Sequence, residues 1–156
     1  MARQLLWKVE MAEIGNRGKR AEKEVETLLK QWNSSVGFAY WRLPDSRSAR
    51  NYLASQPGDF AYFCNGRGGI IEVKESQNAN FRVAKDKISQ LPTLKKLNLA
   101  GAKSLVLVYF SAEALWKVVH PGLLALDVPS WSFKDADGFP TAEAALLSTG
   151  FFEGVS

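Results

Sequence analysis

Residues 57–76, PGDFAYFCNGRGGIIEVKES, decide the fold. Two short apolar segments, 59–64 and 69–75, flank the dipeptide Asn65-Gly66. An Asn-Gly pair between two such segments favours a two-residue turn, because both turn positions need a positive φ that these residues tolerate. The stretch therefore predicts a β-hairpin with its turn at Asn65-Gly66.

Three charged residues interrupt this otherwise apolar hairpin. Asp59 opens the first strand, and Glu72 and Lys74 lie two positions apart on the second. Side chains alternate along a strand, so Glu72 and Lys74 share one face, and pairing through the turn brings Asp59 within reach of both. One interpretation is a surface strand with ordinary cross-strand ion pairs, each worth about 0.2–1 kcal/mol.

The other interpretation is a metal site. Two partly buried carboxylates repel each other unless a cation lies between them, and carboxylates with a backbone carbonyl and waters form the oxygen site that Mg²⁺ accepts. A divalent cation beside a phosphodiester lowers the pKa of a bound water and neutralises charge on the phosphate. The pattern then predicts hydrolysis of a nucleic-acid backbone, in which Lys74 positions the attacking water or stabilises the transition state.

Composition limits the remaining classes of protein. The 156 residues suffice for one domain with a sizeable core, predicted to span residues 1–156. The single cysteine, Cys64, excludes an internal disulfide framework, and the single histidine, His120, has no nucleophile motif to form a catalytic triad. No stretch approaches the ~18 apolar residues of a membrane span, and the N-terminus lacks the apolar run of a secretory signal. We therefore expect a cytoplasmic protein without a membrane partner.

Charge is distributed unevenly along the chain. Residues 1–110 hold 18 Lys and Arg against 10 Asp and Glu, whereas residues 111–156 hold two against six. A basic stretch with interspersed aromatics suits a polyanionic partner, nucleic acid before membrane. A solvated surface of mixed charge is the other interpretation of the same counts.

The rest of the chain alternates helical and strand patterns. Asn16 is a candidate N-cap for a helix over residues 17–32, whose apolar residues recur at i, i+4, i+7, i+8 and i+11. Residues 83–99 are helical in pattern except at Pro92, which either kinks the helix or begins a second one. Further strands are predicted at 38–43, 103–110 and 114–120, the second being an apolar run typical of a strand buried on both faces.

The predicted order of elements, α-β-β-β-α-β-β, describes a central mixed β-sheet flanked by helices in the α/β class. Two segments stand apart from this order. The polar connection 44–57 is bounded by prolines, and residues 121–156 are loop-rich with a short helix predicted at 141–148.

The hairpin resembles the PD-(D/E)xK nuclease superfamily. Pro57 and Asp59, with Gly58 inserted between them, match its first element, and Glu72-Val73-Lys74 matches its second. The resemblance implies a restriction-endonuclease-like core and Mg²⁺-dependent cleavage of DNA, with Mn²⁺ as a substitute. It also implies roles: Asp59 and Glu72 bind the metal with the carbonyl of Val73, and Lys74 is the catalytic lysine.

Within that superfamily the chain looks most like the Holliday-junction resolvases of the archaeal Hjc and bacterial RecU kind. These begin with a basic, glycine-containing segment leading into a helix that carries an acidic metal-site residue, and RGKRAEKEV (17–25) matches that segment. Helical geometry alone places Glu22 and Glu24 on opposite borders of the apolar face and does not choose between them. The resemblance selects Glu22 as the fourth catalytic residue.

The resemblance also implies DNA contacts. RecU-type enzymes have a basic stalk ahead of the catalytic Asp, and 44–57 occupies that place, although a plain loop is the other interpretation. Gln90 lies at the position of a glutamine in the helix that follows the motif. The candidate DNA-binding residues are Arg17, Lys19, Arg20, Arg42, Arg47, Arg50, Tyr52, Lys85, Lys87 and Gln90.

The resulting hypothesis is a structure-specific endonuclease that resolves four-way DNA junctions by symmetric phosphodiester hydrolysis. Two symmetric nicks need two active sites, which predicts a homodimer. The tail 121–156 is a candidate interface, and the candidate aromatic residues for it are Trp7, Trp131, Phe133, Phe151 and Phe152, which are otherwise core residues. The gene could be cellular or carried by a phage.

Two alternatives share these residues. Another nuclease of the superfamily, specific for flaps, ends or one sequence, would keep every catalytic residue. A DNA-binding module without activity would normally have lost one of Asp59, Glu72 or Lys74, and this chain retains all three.

Overall fold

The computed structural model describes residues 18–45 and 55–156. Their helices and strands in chain order are α1 (residues 18–32), β1 (Phe38–Arg42), β2 (Phe60–Cys64), β3 (Arg67–Ser76), β4 (Arg82–Ala84), α2 (Leu91–Leu99), β5 (Leu105–Phe110), β6 (Leu115–Val119), β7 (Ser130–Ser132) and α3 (Ala142–Leu147). Five strands form one sheet in the order β1-β2-β3-β5-β6, and β4 pairs with β7 in a second, two-stranded sheet. This arrangement confirms the α/β class with a mixed sheet flanked by helices.

The β2–β3 hairpin forms as the sequence predicts. Cys64 pairs with Arg67, so Asn65 and Gly66 make the whole turn. Their φ values are 50° and 80°, as a two-residue turn between right-twisted strands requires. This register fixes which hairpin side chains share a face.

The parallel pair β3–β5 joins the hairpin to the second half of the chain. Ile71 pairs with Leu105 at its start, and β6 then runs antiparallel to β5. The crossover between β3 and β5 contains α2, the usual connection for parallel strands. Val106 and Leu107 are both fully buried on opposite faces of β5, which confirms a strand covered on both sides.

Two apolar layers sandwich the five-stranded sheet. On one face, α1 and α3 pack over the sheet, and the residues of α1 that are buried there are the predicted stripe: Ala21, Val25, Leu28, Leu29 and Trp32. On the other face, α2 and the β4–β7 pair cover β5 and β6.

The segment 83–99 differs from the continuous helical pattern. Residues 82–84 are strand β4, Lys85–Ile88 form a 3₁₀ turn, and α2 begins only at Leu91. Pro92 lies in the first turn of α2, where a missing N–H breaks no helical hydrogen bond. Of the two alternatives for Pro92, a kink or the start of a second helix, the second is therefore confirmed. The preceding residues become a strand because β4 pairs with β7, far away in the chain.

The tail 121–156 belongs to the core. Phe152 packs against the rings of Trp32, Phe38 and Tyr62, at centroid distances of 5.4, 6.4 and 4.6 Å. Trp131, Phe133 and Phe152 are buried within their own chain, and Phe151 is half-buried. The expectation that these three buried rings cover a dimer interface is therefore wrong, since a partner subunit has no access to them. Trp7 and Asn16 lie outside the described residues.

A buried lysine anchors the middle of the tail. The ammonium of Lys117 on β6 donates to the carbonyl oxygens of Phe133 (2.7 Å) and Ala136 (2.8 Å). It also lies 3.7 Å from the ring centroid of Phe81. Burial lowers the pKa of Lys117, and the carbonyls replace the water that this charge loses.

We expect Phe152→Ala to destabilise the fold by about 3–5 kcal/mol, because a fully buried ring leaves a cavity among three other aromatics. Urea unfolding followed by fluorescence measures the loss. Leu147→Ala, at a side chain that is 44% exposed, is the matched control and should change stability by less than about 0.5 kcal/mol. Equal stability of Phe152→Ala and the wild type would contradict this account of the tail.

Candidate active site

Asp59 reaches across the hairpin to the second strand. Its N–H donates to the carbonyl of Ile71 (3.0 Å), which extends the β2–β3 ladder by one residue. Its carboxylate oxygen Oδ2 accepts the N–H of Val73 at 2.7 Å. The backbone therefore holds this carboxylate beside Glu72 and the peptide of Val73.

Glu72 is a buried acid with one oxygen paired and one not. The residue is 1% exposed, and Oε1 lies 2.6 Å from the ammonium of Lys74. Oε2 is buried and has no hydrogen-bond partner among the described residues. A buried acceptor without a partner costs free energy, so such an atom indicates a ligand that arrives from outside the chain.

The inserted Gly58 makes this close approach feasible. A Cβ at position 58 would lie 2.4 Å from Cγ2 of Ile70 and 3.2 Å from Oε2 of Glu72. Any side chain here would push the segment before Asp59 away from the second strand. Glycine at position 58 is therefore compatible with the close approach of this segment to Ile70 and Glu72.

The protonation of both acids reflects their burial. Burial and then the charge of Asp59 raise the pKa of Glu72 to about 7, against the opposing effect of Lys74. Burial also raises the pKa of Asp59, against the hydrogen bond from Val73 and the charge of Lys74. Two neighbouring acids that resist ionisation together are stabilised as carboxylates when a cation joins them.

Glu22 lies at the same cleft, held by an arginine. The guanidinium of Arg42 donates to Oε2 of Glu22 at 3.0 Å and to Oε2 of Glu26 at 2.5 Å. Burial and then the charge of Asp59 raise the pKa of Glu22, whereas Arg42 lowers it. Glu24 is exposed on α1, so of the two acids left open by helical periodicity only Glu22 lies at the cleft.

The donors fit a divalent metal ion. Asp59, Glu72 and the carbonyl of Val73 offer hard oxygen atoms, and the unpartnered Oε2 of Glu72 is the atom that needs a ligand. Within residues 18–45 and 55–156, however, no three His, Cys, Asp or Glu side chains group closely enough to hold an ion together. In this arrangement Glu22 is therefore paired with Arg42 and does not join the two acids as a third carboxylate ligand.

These residues line a cleft of about 440 Å³. Three elements meet there: α1 through Glu22, the hairpin through its acids and Lys74, and the start of α2 through Gln90. Gln90 was predicted within a helix and lies directly before α2, at its N-cap position. A second groove of about 410 Å³ continues along α1 past Lys19 and Arg42.

The candidate DNA-binding residues have different surroundings. Arg20 and Lys87 are exposed, and Lys87 lines a polar pocket beside Lys74. The amine of Lys85 donates to the carbonyl of Leu126, and Arg42 is engaged by α1. Arg17, Arg47, Arg50 and Tyr52 lie outside the described residues, as does most of 44–57.

Sequence reasoning missed the role of Arg42 in holding Glu22. The signal was present in β1, where Phe38, Tyr40 and Arg42 alternate with residues of the other face. Phe38 is buried toward α1, so Arg42 points to the same side and meets the acids of that helix. A cation at an inward-facing strand position predicts an acidic partner.

A family model described as archaeal Holliday junction resolvase (Hjc) matches residues 13–130. The chain belongs to the archaeal Holliday junction resolvase family. Hjc proteins are metal-dependent nucleases of DNA recombination and repair, and the activity of this chain is accordingly the resolution of four-way DNA junctions.

Other comparisons are less informative for this Hjc-family chain. No protein of curated function matches it. A 1.6 Å structure of Hjc from Archaeoglobus fulgidus, a Holliday junction resolvase from an archaeal hyperthermophile, is similar at 20% sequence identity with a TM-score of 0.47. The similarity covers 83% of this chain and 93% of the A. fulgidus chain. None of the helices in the described part has the length and apolar character of a membrane span.

Proposed function

We propose that this chain cleaves four-way junctions with Mg²⁺, for which Mn²⁺ substitutes, bound by the carboxylates of Asp59 and Glu72 and the carbonyl of Val73. The observation that carries the proposal is the buried, unpartnered Oε2 of Glu72, beside a backbone-held Asp59 in an open cleft. Without a metal ion, burial and their mutual repulsion favour protonation of these acids; a divalent cation would stabilise both carboxylates and lower their pKa values, so it would bind in competition with protons.

A bound divalent cation would neutralise charge on the phosphate and lower the pKa of water. The remaining stabilisation of the transition state comes from side chains of the protein. Lys74 is 27% exposed at the cleft, so its ammonium can donate to a phosphate oxygen while Glu72 holds it in place at 2.6 Å. Water attacks the phosphorus and gives up a proton, the P–O bond to the leaving oxygen breaks, and that oxygen takes up a proton, so the net change is the transfer of one proton from the water to the leaving oxygen.

Glu22 and Arg42 act from the α1 side of the cleft. Arg42 is tied to two acids of α1, so it orients Glu22 toward the hairpin acids. Gln90 lines the same cleft and carries an amide that can bind the phosphate or the attacking water. Glu22 lines the cleft opposite the hairpin acids and completes its acidic side, as the fourth catalytic residue beside Asp59, Glu72 and Lys74.

The substrate is branched DNA, bound mainly through its phosphates. Basic side chains position the duplex arms without reading sequence. The proposed set comprises Arg17, Lys19, Arg20, Arg42, Arg47, Arg50, Tyr52, Lys85, Lys87 and Gln90. Within 44–57, Arg47, Arg50 and Tyr52 would enter the junction as a stalk. DNA as the substrate also favours a cytoplasmic location.

Two symmetric nicks favour a homodimer, because a two-fold enzyme matches the two strands cut. Its interface does not use Trp131, Phe133 or Phe152, which are buried in the core. Exposed leucines of the tail remain available to a partner, among them Leu123 and Leu126.

Cleavage of labelled four-way junction, flap and plain duplex, each with Mg²⁺ and with EDTA, tests the proposal. We expect paired nicks in the junction with Mg²⁺, little cleavage of duplex, and none of any DNA in EDTA. Flap cleavage that exceeds junction cleavage would identify a different nuclease of the same superfamily. Junction cleavage that persists in EDTA would contradict the metal site.

A further inference from the structure

The sheet face that carries the candidate active site also carries two exposed aromatic rings. Asp59, Ala61 and Phe63 alternate along β2, so they share one face with Trp41, which pairs with Ala61. Asp59 lies two residues before Ala61, which makes Trp41 and Asp59 diagonal neighbours across β1 and β2. Diagonal neighbours are separated by roughly 7–8 Å, which large aromatic side chains can reach across.

The two rings are the only Trp, Tyr or Phe side chains exposed in residues 18–45 and 55–156. Each is 57% exposed, and they meet edge to face at 6.1 Å with an interplanar angle of 82°. Elsewhere on this sheet face, α2 and the β4–β7 pair form a cover over β5 and β6. Nothing in residues 18–45 and 55–156 covers these two adjacent rings, so they are available to a partner.

The backbone of β3 at Gly68 holds the Phe63 ring in position. A Cβ at Gly68 would lie 2.6 Å from Cε1 of Phe63, so the ring rests directly on the backbone of β3. Phe63 in turn contacts Trp41 by its edge. A preorganised ring loses little side-chain entropy when a flat partner stacks on it.

The size of the patch favours a small, flat partner. Two large aromatic side chains that are each 57% exposed offer roughly 250 Å² together. A stable protein interface needs about 800 Å² on each partner, three times as much. A nucleobase needs only one ring face, and base–aromatic stacking is a recurrent mode of binding to unpaired bases.

We propose that Trp41, positioned by Phe63, stacks on a nucleobase that has lost its stacked neighbour at the branch point of the junction. The proposal rests on the proposed function, because Trp41 is a diagonal neighbour of Asp59 in the sheet, and Asp59 is proposed to act on the scissile phosphate. A plain duplex keeps its bases stacked and offers no such face. The pair therefore recognises the branch, while the basic residues bind the arms.

Binding in EDTA, where no strand is cut, isolates this contact. We expect Trp41→Leu to weaken junction affinity about 5- to 150-fold, the range that corresponds to a stacking contribution of about 1–3 kcal/mol. Affinity for duplex of the same sequence should change less than about twofold. Trp41→Phe keeps a ring and should retain most of the affinity, and Leu99→Ala, at an exposed side chain of α2, should behave as wild type.

A fluorescent base gives a direct readout. 2-Aminopurine at a branch nucleotide should be quenched by wild type and much less by Trp41→Leu, with no effect for 2-aminopurine within an arm. Equal quenching by both proteins, or equal affinity losses on junction and duplex, would overturn the proposal. So would a Trp41→Leu protein that sediments as a monomer where wild type is a dimer, because the patch would then be a contact between subunits.

The binding test of Trp41→Leu and the cleavage test of the wild type can fail independently of each other. A wild-type protein that cuts no DNA with Mg²⁺ defeats the proposed function, while the affinity ratio in EDTA is still measured. A wild type that cuts junctions and a Trp41→Leu protein with unchanged junction affinity would defeat the stacking contact alone.

Discussion

Asp59→Asn is expected to lower the rate of junction cleavage by about 10³-fold or more and to leave junction affinity in EDTA within about twofold. Asparagine keeps the size of the side chain and can still accept the N–H of Val73 through its amide oxygen, but it removes the negative charge that favours a cation. A metal ion supplies several kcal/mol of transition-state stabilisation, and each 1.36 kcal/mol is a factor of ten in rate. Single-turnover cleavage with saturating enzyme measures the effect.

The controls for this prediction come from α1. Glu22→Gln should also reduce cleavage, because Glu22 lines the cleft, whereas Glu24→Gln should not, because Glu24 is exposed elsewhere on the helix. Both substitutions remove one negative charge from the same helix, so a general charge effect would change the cleavage rates of the two variants equally. Asp59→Asn protein that cleaves at the wild-type rate would remove Asp59 from the metal site.

Lys74→Met should lower kcat by about 10²–10³-fold with little change in junction affinity. Methionine preserves the length and apolar stem of lysine, so the loss reports the ammonium, including its pairing with Glu72. Removal of one preorganised donor to a transition-state oxygen has an effect of this size. Lys87→Met is the matched comparison, since Lys87 is exposed beside the same pocket and is proposed to bind a phosphate. It should weaken binding and reduce the salt slope by about one, with kcat unchanged.

The loss of kcat relative to the loss of junction affinity decides the role of Lys74. A loss confined to kcat identifies an interaction made in the transition state. Equal losses in affinity and in kcat/KM would instead make Lys74 a phosphate anchor like Lys87, and catalysis would have to rest on the acids alone.

Local patterns predicted the elements whose stability comes from nearby residues. The Asn65-Gly66 turn, the apolar stripe of α1 and the doubly buried β5 were each readable from spacing, because turn geometry and periodicity act over a few residues. The pairing of β4 with β7 was not, since it joins segments almost fifty residues apart. That pairing converts the start of a helical pattern into a strand, which is a tertiary effect on local propensity.

The candidate site likewise combines residues that local patterns predict with residues whose roles depend on tertiary contacts. Asp59, Glu72 and Lys74 were identified because the hairpin register fixes their relative positions. Helical periodicity did not choose between Glu22 and Glu24; the resemblance selected Glu22, and the orientation of α1 over the sheet places Glu22 and not Glu24 at the cleft. The roles of Arg42 and Gly58 depend on contacts between α1, β1 and the hairpin, so only the assembled structure reveals them.

The place of Phe152 in the core has a consequence for how a cell makes this protein. Synthesis proceeds from the N-terminus, so Trp32 and Phe38 leave the ribosome long before Phe152 does. Until Phe152 has been synthesised, Trp32 and Phe38 lack the ring that packs against them in the folded protein. This aromatic cluster, and with it the packing of α1 against β1 and β2, is therefore completed only after β7 and α3 have been synthesised.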